Sequence, residues 1–170
     1  TAGSTYYVQV GNFPGASGGS GTVSFSQQVT LDPGDDCSDA IAIAGAGSFA
    51  YDNGGCTTGA EGQNEAICYD FGSSAVDNDI WFSWTSDGDG AYVFETCGSS
   101  PDTKIAVYDG SGCPSGASVA CNDDTCGLQS SVQVVVANGS SYTIQCGNFP
   151  GASGGATTLN IAITSLPDHP

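Results

Sequence analysis

Between residues 101 and 126 the chain reads PDTKIAVYDGSGCPSGASVACNDDTC, which gathers Asp102, Asp109, Asn122, Asp123 and Asp124. Carboxylate and amide oxygens concentrated in this way suit a hard cation, and outside a cell that cation is Ca2+. The spacing does not fit an EF-hand loop. Asp and Asn are also ordinary turn residues, so a set of solvated turns explains the same pattern without an ion. Two smaller acidic groups, Asp77-Asn78-Asp79 and Asp35-Asp36, read better as solvated loops. Paired carboxylates also serve glycosidases as acid and base. Here no apolar run flanks them to raise one pKa and no aromatic cleft is evident, so the chain reads as a non-enzyme. Its one histidine, His169, lies between Asp168 and Pro170, a poor place to hold a catalytic triad.

Eight cysteines, Cys37, Cys56, Cys68, Cys97, Cys113, Cys121, Cys126 and Cys146, lack the paired C-x-x-C spacing of a zinc knuckle. In a Gly-, Ser- and Thr-rich acidic chain they read as disulfides formed in an oxidising, extracellular setting. A Cys121–Cys126 bridge would rigidify the acidic loop between them. Asn138-Gly139-Ser140 is an N-glycosylation acceptor pattern.

The 170 residues carry 18 acidic side chains against a single Lys or Arg, Lys104, for a formal net charge of -17. Such a chain does not neutralise a phosphate backbone, and anionic membrane surfaces repel it. Nucleic-acid partners are therefore not expected, and with no apolar run near about 18 residues nothing is expected to span a bilayer. The absence of Met marks a processed form or a piece of something longer.

Short runs of alternating apolar and polar residues, separated by Gly, Asn, Asp and Pro, must position these groups. Strands are expected over 5–10, 22–29, 48–52, 79–86, 90–96, 104–108, 118–121, 130–136, 141–146 and 157–163. Residues 35–44 offer one helical turn at most. Ile80, Phe82 and Trp84 share one strand face, and Val132, Val134 and Val136 another, so both are core stripes. The fold class is all-β, a jelly-roll-like β-sandwich.

The chain also repeats itself. Residues 3–19, GSTYYVQVGNFPGASGG, match residues 139–155, GSSYTIQCGNFPGASGG, at 13 of 17 positions. Residues 1–30 thus read as an extra N-terminal β-hairpin duplicated from the last two strands of a preceding repeat. A linker follows at 31–36, then a sandwich repeat domain at 37–166 and a tail at 167–170. A lone hairpin is marginal in water, so residues 1–30 must pack on something. That something is a neighbouring repeat, another molecule, or the chain's own domain. The unchanged Gly11–Gly19 segment reflects either a shared packing role for Phe13 and Phe149 or a recent duplication.

The segments DTKIAVYDG, ASVACNDD, GLQSSVQVVVANGSSYTIQCGNFPGASGG and LNIAI, with DNDIWFSWT upstream, resemble the bacterial pre-peptidase C-terminal domain family, in its Cys-rich tandem variety. The resemblance implies a jelly-roll-like sandwich in a secreted, non-catalytic accessory module, with some relatives binding calcium or insoluble polymers such as collagen. It places Asp102, Asp109, Asn122, Asp123 and Asp124 at the family's acidic strand-end positions. One departure is Gln145-Cys146-Gly147-Asn148-Phe149, where the family often has a basic residue before a Gly-Gly-Tyr segment.

Together these features point to an extracellular or cell-surface structural repeat. It would build a filament or array with copies of itself or neighbouring repeats by strand or hairpin donation, stabilised by disulfides and Ca2+. The second reading is an adhesive module for polysaccharide or matrix, which an exposed row of Tyr51, Tyr69, Phe71 and Tyr92 would favour.

Overall fold

The computed structural model describes residues 5, 7–24 and 32–164, in two units, 1–30 and 31–170. In the second unit the alternating runs form nine strands among the described residues. They are β1 (Ile41–Ala44), β2 (Gly47–Asp52), β3 (Asp77–Thr85), β4 (Gly90–Glu95), β5 (Thr103–Asp109), β6 (Ala120–Asn122), β7 (Ser131–Val136), β8 (Ser141–Asn148) and β9 (Ala156–Thr164). Two sheets result, ordered β1-β3-β8-β5-β6 and β2-β9-β4-β7. β1 runs parallel to β3, with Ile41 opposite Phe82, and every other pairing is antiparallel. The architecture is the expected all-β, jelly-roll-like sandwich.

Both expected stripes lie between the sheets. Ile80, Phe82 and Trp84 of β3 meet Phe94, Val132, Val136, Ile144 and Leu159 there. Trp84 packs edge-on to Tyr92 and Phe94, and its indole N–H donates to the Gly45 carbonyl at 2.9 Å. A second, smaller core covers the outer face of the five-stranded sheet, around Trp81, Ala106, Tyr108, Cys37 and Cys68. For this reason β5 and β8 are buried on both faces, with only the end residues Asp109 and Ser141 partly or wholly exposed.

The cysteines staple that outer layer. Cys37 pairs with Cys113, Cys68 with Cys121, and Cys97 with Cys126. The expected Cys121–Cys126 bridge is not formed. Cys121 stands opposite Ala106 on β5, so its sulfur joins the outer core beside Cys68, while Cys126 lies beyond β6. Cys56 and Cys146 are unbridged, against the expectation that all eight cysteines pair. Both lie in the core between the sheets, where burial pushes each thiol up to about 12.

Other differences are local. The possible helical turn at 35–44 resolves into a 3₁₀ turn, Cys37–Asp39, capped by Asp36, followed by β1. Residues 32–36 of the expected linker are held to the sandwich. The Gly34 carbonyl accepts the Trp81 N–H at 2.7 Å, and buried Asp35 accepts from Thr57. The two strands that residues 1–30 copy do not form a hairpin, because β8 and β9 lie in opposite sheets.

In the first unit, residues 7–24 contain a turn at Pro14-Gly15 and no strand, so the strand expected at 5–10 is not formed over 7–10. Residues 25–29 of the expected 22–29 strand lie outside the described residues, as does the 167–170 tail. A lone hairpin is marginal in water, which accounts for the missing strand.

Candidate carboxylate site at the end of β5

Asp102 precedes β5, and Asp123 and Asp124 follow β6, the strand paired with it. The pairing of Ile105 with Asn122 brings the three carboxylates together, with one oxygen from each within 4.8 Å of the others. Asp123 is 1% exposed. Among the described residues, neither Asp123 oxygen, nor Oδ1 of Asp102 or of Asp124, has a hydrogen-bond partner. Buried carboxylate oxygens left in this state are costly unless a cation meets them.

One cation is built in. Lys104, the chain's only Lys or Arg, is 0% exposed, and its Nζ lies 3.5 Å from Asp123 Oδ2. The ammonium donates to the Ser73 carbonyl at 3.1 Å and lies 5.6 Å from the centre of the Phe149 ring. Burial raises the Asp123 carboxyl to about 6, opposed by Lys104 and reinforced by Asp124 and Asp102. Burial, then Asp124, raises Asp102 as well.

Three carboxylates against one ammonium leave a formal charge of about -2, which one divalent cation neutralises. Three carboxylates that each bring one oxygen within 4.8 Å of the others make a donor set of the kind a hard cation takes. Asp102, Asp123 and Asp124 are thus the residues that could hold a divalent cation such as Ca2+.

The structure brings together three of the five expected ligands. Asp109 is exposed at the far end of β5, opposite Tyr142. Asn122 is near in sequence but committed, since its Oδ1 accepts the Ser131 N–H at 2.9 Å and aligns the start of β7. The smaller acidic groups are not simply solvated loops. Asp35 is buried, and Asp79 is fully buried and accepts from Gly59 N at 2.7 Å and Gln145 Nε2 at 3.0 Å, with its carboxyl raised by burial. These carboxylates anchor the loop through residues 57–59. Asn138 is exposed in the turn before β8, where the acceptor pattern was expected.

Sequence reasoning named Lys104, Phe149 and Phe71 but placed none of them at the carboxylate site. Phe149 and Phe71 flank a shallow cleft of roughly 120 Å³ whose other walls are Asp102 and Asp124. Phe71 is 72% exposed, and at φ 43° it occupies left-handed backbone uncommon for a bulky residue. Backbone bonds between Asp70 and Ser73 close its turn, and Lys104 anchors that turn through Ser73. The available signal was the lone lysine of an acidic chain placed on a strand. Of the four aromatics a binding face would need, Tyr69 and Phe71 are exposed, whereas Tyr51 and Tyr92 are core.

The duplicated segment also finds its packing role. A Cβ at Gly147 would meet Val76 Cγ1 at 2.5 Å and the Asp77 carbonyl at 2.6 Å. Asn148 accepts from Asn53 at 2.7 Å and donates to the Asp102 carbonyl at 2.8 Å. Phe149 covers Lys104. The equivalent Gly11 meets nothing within 4 Å of such a Cβ, and Phe13 is 84% exposed.

No protein-family model matches the chain, and no curated protein matches it. Among solved structures, a periplasmic inhibitor of g-type lysozyme from Aeromonas hydrophila aligns over 74% of this chain and 97% of its own, at 16% identity and a TM-score of 0.43. A family 35 carbohydrate-binding module from an environmental isolate aligns over 70% and 99%, at 10% identity and a TM-score of 0.33. Neither likeness is close enough to carry function. The three disulfides place the chain in an oxidising, extracytoplasmic compartment. No helix among the described residues is long and apolar enough to cross a membrane.

Proposed function

We propose that the protein is a secreted, non-enzymatic structural repeat of an extracellular filament or surface array, in which residues 1–30 supply the last two strands of a neighbouring repeat. One observation carries this reading: residues 7–12 copy a wholly buried strand but are themselves exposed. Val8 and Val10 are 60% and 70% exposed, whereas their counterparts Ile144 and Cys146 are 0% exposed in β8. β8 sits between β3 and β5, so the segment's chemistry suits the middle of a sheet. The chain's own sandwich already holds β8 and β9. The acceptor is therefore a repeat lacking those strands, or one whose own have been handed on. Burying a valine side chain is worth about 1.5–3 kcal/mol, so Val8 and Val10 would contribute to docking alongside the strand's main-chain hydrogen bonds. Ca2+ at Asp102, Asp123 and Asp124 would tie the β5 and β6 ends together.

Light scattering after size exclusion tests this on the oxidised chain with Ca2+. Assemblies above 16.9 kDa that collapse to monomer on deletion of residues 1–30, and weaken with Val8→Ser, are expected. A monomer at every concentration, indifferent to the deletion, refutes donation between chains.

The second reading, a carbohydrate- or matrix-binding module, is favoured by exposed Tyr69 and Phe71 beside the carboxylate cleft. Loss of polysaccharide or collagen retention on Phe71→Ala, with assembly unchanged, would put it first.

A further inference from the structure

The ion pair inside the carboxylate site is unusual on three counts. Lys104 and Asp123 are both sealed from water, at 0% and 1% exposure. Their approach, 3.5 Å from Nζ to Oδ2, leaves both Asp123 oxygens without a hydrogen bond. A buried pair with so little hydrogen bonding barely offsets its desolvation, so as a salt bridge it contributes little. A second carboxyl, Asp102, stands against the pair with its Oδ1 also unpartnered. The Phe149 ring closes the amine side. This is the arrangement an amide-forming condensation needs: an amine and a carboxyl in direct ion-pair contact, fixed by two neighbouring strands, in a dry place, with a proton carrier alongside.

We propose that Lys104 and Asp123 join in an intramolecular isopeptide bond. The ammonium passes a proton to a carboxylate within the pair, as a low-dielectric site favours for two opposed charges. The amine lone pair attacks Asp123 Cγ, forming the Nζ–Cγ bond. A Cγ–Oδ bond then breaks, and the oxygen leaves as water with protons relayed through the Asp102 carboxyl. Ammonium plus carboxylate becomes amide plus water, with no oxidant, reductant or activating group. The bond welds the start of β5 to the loop after β6. The condensation removes one positive and one negative charge together, so the site keeps its formal charge of about -2 and its attraction for a divalent ion. The inference stands independently of the filament reading.

The chain's composition supplies a direct test. Lys104 is the only Lys or Arg, so trypsin has one site in the whole chain, before Ile105. An acylated lysine is not cut. Folded, oxidised protein is denatured, reduced, alkylated and digested, and its intact mass is measured in parallel. The wild-type chain is expected to stay whole and to weigh one water less than its sequence requires. Lys104→Arg, which keeps the trypsin site but cannot form the amide, and Asp123→Ala, which frees the amine, should each give fragments 1–104 and 105–170 at full summed mass. Both variants are read on denatured chains, so a folding defect does not obscure the result. A wild-type chain cut as completely as the Arg variant overturns the proposal. So does an uncut chain that has not lost one water, since some other group would then block the lysine. A succinimide at an Asp-Gly pair also loses water but leaves Lys104 cleavable, and that outcome counts against the bond as well.

Discussion

Replacing Cys37 and Cys113 together with serine should cost more stability than removing either other bridge. The three bonds close loops with sequence separations of 76, 53 and 29 residues. In the chain-entropy picture these correspond to about 4.5, 4.2 and 3.6 kcal/mol for Cys37–Cys113, Cys68–Cys121 and Cys97–Cys126. The first two also hold the outer core over Trp81 and Tyr108, so their removal frees packing as well as chain. Each is a large share of the total stability of a typical domain. The assay is guanidinium unfolding of the three double-serine variants, with the slope fitted separately because a lost crosslink enlarges the unfolded state. The expected order of cost is Cys37–Cys113, then Cys68–Cys121, then Cys97–Cys126. If Cys97→Ser/Cys126→Ser cost most, the outer core would be contributing nothing and the argument would fail. If Cys121→Ser/Cys126→Ser behaved as the loss of one bond rather than two, the pairing itself would be wrong.

Chelation supplies another test. EDTA should lower the melting temperature of the Ca2+-loaded chain, Asp124→Asn should blunt that drop, and Asp109→Asn should leave it intact; saturation at a hundredfold over Kd corresponds to about 2.7 kcal/mol. An equal effect of the two substitutions would remove the ion from the Asp102 site. The fully buried Asp79 gives a pH signature. Its carboxyl is raised in the fold by burial, so the folded chain holds that proton after the unfolded chain has released it. Its contribution to stability therefore falls as pH rises past the ordinary carboxylate range near about 4. The pH dependence of the urea midpoint should flatten in Asp79→Asn, and an unchanged slope would refute the assignment.

Much of the sandwich was legible in alternation alone. The stripe Ile80, Phe82, Trp84 is diagnostic because a half-buried strand needs one residue in two to be apolar. β1 escaped because Ile41–Ala44 is short and follows Asp and Ser residues that favour turns. Trp81 could not be placed, since period-two reasoning sends it to solvent and only the disulfide-held loops bury it. In the site, Asp102, Asp123 and Asp124 were readable as a cluster, but the inclusion of Asp109 was not correctable from sequence. The two ends of a seven-residue strand look equally near to a loop until its register is known. Lys104 was visible only as a count; its burial depends on Phe149, 45 positions later in the chain.

The Cys37–Cys113 bond also sets how the domain would respond to tension. A pull entering at Cys37 crosses directly to Cys113, so residues 38–112, which include β1 through β5, drop out of the load path. Cys68–Cys121 and Cys97–Cys126 hold β6 and the loop after it to the same crosslinked part, so only β7 to β9 can be drawn out, and residues 37–126 stay gathered as a covalent bead on a shortened tether. A strand built of such repeats would have a short, covalently limited stretch, and each bead would keep the template onto which its lost strands can snap back.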